Sequence, residues 1–120
     1  MVQLTHNPEP VLEVVFYKTE SGVEPVRDWL KSFDSEQRNS IGRAIMYVQF
    51  NWPVGMPLVR HLAGPIWEVR TILERGKVRV LFAVDDDEMI ILNGFIKKSL
   101  KTPKRELELA KRRLSIWQKR

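Results

Sequence analysis

Residues 66–95 read IWEVRTILERGKVRVLFAVDDDEMIILNGF. Three stretches rich in Val, Ile, Leu and aromatic residues, about 66–73, 77–84 and 89–95, are separated by turn-forming residues and read as successive antiparallel strands. Arg75-Gly76 suits a two-residue hairpin turn with glycine supplying a positive φ, and the acidic run 85–88 makes a polar turn into the third strand. On that turn Glu74 lies opposite Lys77, and Arg70 lies opposite Leu81. One face then carries Trp67, Val69, Thr71, Leu73, Val78, Val80, Phe82 and Val84, and it reads as the core. The other carries Ile66, Glu68, Arg70, Ile72, Arg79, Leu81 and Ala83. Arg70 and Arg79 become diagonal neighbours on an open face, within about 7–8 Å at their β-carbons. Pairing Val84 with Met89 sets Gly94 opposite Arg79, where a missing side chain would let a ligand approach the backbone.

Outside this hairpin pair the elements follow in order. Residues 11–17, VLEVVFY, read as a strand. Val26, Trp29, Leu30 and Phe33 keep helical spacing, with Pro25 suited to the first turn. Asp34 caps a second helix, with Gln37 placed for a capping box, and that helix buries Ile41, Ala44, Ile45 and Val48. NWPVGMP (51–57) forces a loop. Thr102 can cap a last helix that has Pro103 at its first position and a stripe of Leu107, Ala110, Leu114 and Trp117. The expectation is a single α+β domain over 1–120, in which an N-terminal strand and two helices pack on one face of an antiparallel sheet and a C-terminal helix follows.

Composition narrows the function classes. The 120 residues contain no cysteine, which excludes disulfides and cysteine-based zinc sites, and no apolar run approaches the length of a membrane span. A cytoplasmic protein without membrane contact is expected. Charge is unevenly divided. Residues 1–60 hold six Lys/Arg and seven Asp/Glu, whereas residues 61–120 hold fourteen and eight, and the last 24 residues hold ten and two. A basic C-terminal half suits a polyanion such as nucleic acid. A solvated basic helix is the plainer alternative.

Lys97 and Lys98 leave the third strand beside Arg79, so four or five cations meet with too few carboxylates to neutralise them. Phosphate fits such a cluster, because guanidinium groups grip it bidentately and ammonium groups neutralise it. Glu68, two residues from Arg70 on the same face, offers the duller account of a surface ion pair. Other schemes lack residues. His6 sits in an unpatterned tail, Ser99 and Ser115 have no base beside them, and the glycines are scattered singly. The carboxylates at 85–88 read as a solvated turn, so neither a metal site nor a cofactor is expected. His61, next to Arg60, either borders the sheet or caps a loop.

Taken together, SGVEPVRDWL (21–30), GPIWEVR (64–70), Arg79, LNGFIKK (92–98) and KTPKRELELAKRR (101–113) resemble the HigB branch of the RelE/ParE toxin superfamily, in its phage-derived form. The similarity spans about residues 12–117. It implies a RelE-like fold and a bacterial type II toxin that cleaves mRNA on the ribosome and is inhibited by a cognate antitoxin, expected to be a helix-turn-helix, HigA-like protein. Other superfamily members poison DNA gyrase instead, and a noncatalytic nucleic-acid-binding module is a third reading. By this resemblance Arg70, Arg79, Lys97 and Lys98 take the catalytic positions. The final strand has no tyrosine to orient a base or donate a proton.

The chemistry of a metal-independent endoribonuclease can be stated without the family, since RNA supplies its own 2′-hydroxyl nucleophile. The protein must align it, stabilise the phosphorane and transfer protons. Arg70 and Arg79 are assigned to the phosphate and Lys97 or Lys98 to proton transfer. Arg60, His61, Lys101, Lys104, Arg105, Lys111 and Arg112 are assigned to RNA contact. Trp29, Trp52 and Met56 offer a separate patch for an antitoxin that docks there and blocks the toxin by bulk alone.

Overall fold

The computed structural model describes residues 9–98 and 100–120. His6 and Ser99 lie outside them. The order is β1 (Glu13–Phe16), α1 (Pro25–Leu30), α2 (Ser35–Asn51), β2 (Val59–Ala63), β3 (Ile66–Leu73), β4 (Gly76–Asp85), β5 (Glu88–Lys97) and α3 (Lys104–Gln118). The five strands form one sheet in the order β1-β5-β4-β3-β2, antiparallel except for β1 beside β5. This is the expected α+β, RelE-like architecture. One strand escaped the sequence reading: β2, a short polar edge strand that pairs Arg60 with Glu68 and His61 with Trp67.

The core face of the hairpins is as read. Val69, Val78, Val80, Phe82, Met89 and Ile91 are buried against Val26, Phe33, Ile41, Ile45 and Val48 of α1, α2 and the segment between them. The capping box at α2 forms, with Asp34 Oδ1 accepting from the Gln37 backbone N–H at 2.8 Å. The helices are not confined to one face, however. Leu107, Ala110, Leu114 and Trp117 of α3 cover Ile66, Leu81, Ala83, Ile90, Leu92 and Phe95 on the opposite side. Much of the face expected to be open is therefore roofed. Trp29 and Trp52 also belong to the α1/α2 core: Trp29 packs edge-on to Phe33 at 5.0 Å, and Trp52 stands between Trp67 and Phe82. Of the expected docking patch only Met56 is exposed.

Two register details differ from the reading and build the site. Leu73 pairs with Gly76, so Glu74-Arg75 occupies the turn; Gly76, at φ +141°, closes it from the strand end. The strand slides by two residues, which preserves the faces. Arg70 now stands directly opposite Arg79.

The second detail is a β-bulge. Phe82 pairs with Ile91 but Leu81 pairs with Asn93, so Leu92 is an extra residue in β5. Its carbonyl accepts a 2.8 Å hydrogen bond from Arg113 Nη1. Past the bulge the alternation of β5 is inverted. Gly94 faces the α1/α2 core opposite Val80, and an added Cβ would lie 2.3 Å from Trp29 Cζ3. Its bare backbone makes room for Trp29, which corrects the idea of a ligand approach there. Asn93, Phe95 and Lys97 turn to the α3 side.

Candidate functional site

The inverted end of β5 brings Lys97 to the face that already carries Arg70 and Arg79. Arg70 opposes Arg79 across β3 and β4, and Lys77 opposes Lys97 across β4 and β5. Like charges directly opposite one another destabilise a sheet. Arg60 of β2 pairs with Glu68, so Arg60, Arg70, Arg79 and Lys97 gather around one carboxylate among the described residues, with Lys77 at the edge of the group.

Burial intensifies the effect. Arg79 is 2% exposed, Lys97 7% and Glu68 0%. Arg79 therefore does not stand on an open face as the sequence suggested: with 2% of its surface exposed it is a buried guanidinium beside Glu68. Glu68 Oε1 lies 3.7 Å from Arg79 Nε and 3.9 Å from Arg70 Nε, ion-pair distances too long for hydrogen bonds. All three atoms are buried without a hydrogen-bond partner among the described residues. Glu68 Oε2 accepts from the Thr102 hydroxyl at 2.7 Å. Thr102 thus binds a carboxylate across the fold, and α3 begins without a side-chain cap after Pro103.

Arg79 also donates through Nη1 to the Val78 carbonyl at 3.1 Å, and Arg70 Nη1 reaches Met56 Sδ at 3.4 Å. Burial, then the neighbouring Arg70, lowers the Arg79 pKa, with Glu68 opposing and Arg60 adding to the shift. Lys97 is held below the ordinary lysine value by burial first and by Arg79 next, with Arg70 and Arg60 adding; Glu68 acts the other way. A lysine in such surroundings exchanges its proton nearer neutrality than a solvated one. Beside the cluster opens a cleft of about 470 Å³, lined by Pro57, Leu58, Arg70, Ile72, Lys77 and Arg79. It joins a cationic wall to an apolar one.

The remaining residues expected at the site divide between the cluster and the surface. Arg60 belongs to the cluster through its field on Arg79 and Lys97. His61, next along β2, packs on Trp67 with ring centroids 4.6 Å apart, and its Nε2 lies 2.7 Å from the Gly64 carbonyl oxygen. It is a loop-bracing residue on the other face. Lys98 is exposed and lines a separate cleft with Phe95, Ile96, Pro103, Arg105 and Glu106. Lys101 is exposed in the segment before α3. Lys104, Arg105, Lys111 and Arg112 project from the solvent side of α3 as two pairs seven residues apart, two helical turns. Arg105 and Lys111 have acidic neighbours, Glu106 at 3.6 Å and Glu108 at 3.5 Å.

Sequence reasoning missed the place of Glu68. Its alternation with Arg70 put it on the correct face, but alternation does not reveal that it is fully buried and bonded to Thr102.

No curated protein sequence matches the chain. A family model described as "Phage derived protein Gp49-like" matches residues 28–115, a span that includes β2 to β5, the whole cation cluster and most of α3. With most of its length matched, the chain belongs to the phage-derived Gp49-like family, a family of RelE/HigB-like toxins.

Proposed function

We propose that the protein is the toxin of a type II toxin–antitoxin pair and that it cuts mRNA on the ribosome, with a helix-turn-helix, HigA-like antitoxin as its inhibitor. The observation that carries this reading is the convergence of Arg70, Arg79 and Lys97 around a single carboxylate that hydrogen-bonds neither arginine, with both arginines lining an open cleft. A surplus of buried positive charge is costly by itself, and a phosphodiester offsets it.

In this scheme Arg70 and Arg79 hold the non-bridging oxygens of the scissile phosphate. The RNA 2′-hydroxyl gives up its proton to a base and attacks phosphorus; the phosphorane then collapses with breakage of the P–O5′ bond, and the leaving O5′ takes up a proton. The products are a 2′,3′-cyclic phosphate and a 5′-hydroxyl end. Lys97 serves the proton transfer, because its environment favours the neutral form and it is buried beside Arg79, whereas Lys98 is solvated. The basic side of α3 contacts RNA backbone through counterion release, which makes binding salt-dependent. Among the described residues His61 has no histidine partner, and in this scheme in-line geometry is left to the ribosome.

The test is purified protein added to a translating extract. Cuts within ribosome-occupied codons, with naked RNA left whole, are expected. Intact message together with loss of gyrase supercoiling would assign the protein to the gyrase-directed toxins. Intact message with salt-dependent RNA binding alone would make it a noncatalytic binding module.

A further inference from the structure

Glu68 is fully buried, and a buried carboxylate is costly unless it is paired and hydrogen-bonded. A carboxylate serving only the fold would be expected to grip one arginine bidentately. Here Oε1 is shared at 3.7 and 3.9 Å between Arg79 and Arg70 and hydrogen-bonds neither. Such a counter-charge attracts two guanidinium groups at once while hydrogen-bonding neither, and both arginines line the cleft. Oε2 does something different. It takes the Thr102 hydroxyl at 2.7 Å, from the segment that joins Lys97 to α3. Asn93 fixes the far side of that segment by donating to the Glu106 carbonyl and carboxylate at 3.1 and 3.0 Å.

Resting on the ribonuclease reading above, we propose that Glu68 is a positioning residue, one oxygen keeping Arg70 and Arg79 aligned toward the cleft and the other fastening the segment after Lys97 through Thr102. Its charge also reaches Lys97. The groups acting on that ammonium are Arg79 on β4, Glu68 and Arg70 on β3 and Arg60 on β2, with Lys77 opposite it in the register, while Lys98 is solvated in a separate cleft and Glu106 of α3 is engaged by Asn93. Glu68 is the group among them that favours protonated Lys97.

The test is Glu68→Gln, which keeps the shape and an acceptor for Thr102 but removes the charge. Cutting at saturating programmed ribosomes should fall on the order of 100-fold, the scale of misplaced catalytic groups, with ribosome affinity little changed. The Lys97 titration, followed by NMR on its ε-carbon, should move to lower pH. Folded Glu68→Gln that cuts at the wild-type rate, or an unmoved Lys97 titration, would overturn the proposal. If the wild type cuts no message, the ribonuclease reading fails, while the Lys97 titration still tests the electrostatic role. If Glu68→Gln does not fold, Thr102→Val serves: cutting should drop about 10-fold with little change in unfolding temperature, since misplacement rather than unfolding is the cause. Wild-type cutting by Thr102→Val would overturn the fastening role.

Discussion

Gly94→Ala should destabilise the protein through a single contact. An added Cβ meets Trp29 at 2.3, 2.7 and 2.9 Å from three ring carbons. Comfortable carbon contacts lie near 3.5–4.0 Å, so the indole must retreat by more than about 1 Å. It has little freedom to do so, because its ring is set edge-on against Phe33 at 5.0 Å. Overpacking of this kind costs about 1–3 kcal/mol, slightly offset by the better strand propensity of alanine. With an unfolding entropy of about 0.25 kcal/mol/K for a chain of this size, a loss of about 2 kcal/mol lowers Tm by about 8 °C. Circular dichroism melts and urea midpoints measure it. The double variant with Trp29→Leu should recover much of the loss, giving a coupling of roughly 1 kcal/mol. Wild-type stability of Gly94→Ala would refute the bulged register of β5, and with it the route by which Lys97 reaches the arginines.

Lys97→Met should raise stability at neutral pH, since a buried ammonium among cations is replaced by an apolar chain of similar reach. Lys97 titrates lower in the folded state than in the unfolded one. Between those two values the unfolded state binds more protons, so wild-type stability rises with pH there. The advantage of Lys97→Met, read from melts at a series of pH values, should shrink across that window and disappear above the ordinary lysine value. Arg113→Met should lower stability by about 1–3 kcal/mol by orphaning the Leu92 carbonyl, whereas Arg112→Met leaves melts unchanged. Asp34→Ala should cost about 1 kcal/mol of stability by removing the cap of α2, with no effect on cutting.

Much of the fold was legible because alternation reports which side of a sheet a residue occupies. Val78, Val80 and Phe82 could face only one core, and a hairpin slide of two residues left them there. The bulge was not legible, since Met89–Leu92 is apolar throughout and buried on both sides, so inverted parity leaves no trace in residue type. Gly76 misled about the turn because the positive φ it adopts follows the turn rather than forming it. β2 was hidden by its length and its exposed Arg60 and His61. At the site, Arg70, Arg79 and Lys97 could be named from pattern and resemblance. The burial of Arg79 and Lys97, the central place of Glu68 and the turning of His61 to the other face depend on contacts distant in sequence, such as Thr102 with Glu68, and on the opposite pointing of neighbours in β2.

The central claim is that Lys97, buried against Arg79, carries proton transfer in a phosphate site. Single-turnover cutting of mRNA on programmed ribosomes by Lys97→Met and Lys98→Met tests it most directly. Lys97→Met should lose on the order of 100-fold or more, the usual share of general acid–base catalysis, while remaining folded and ribosome-bound. Lys98→Met should cut within a few-fold of wild type, since its ammonium is solvated away from the cluster. Wild-type cutting by Lys97→Met, or the reverse order of the two variants, would contradict the account.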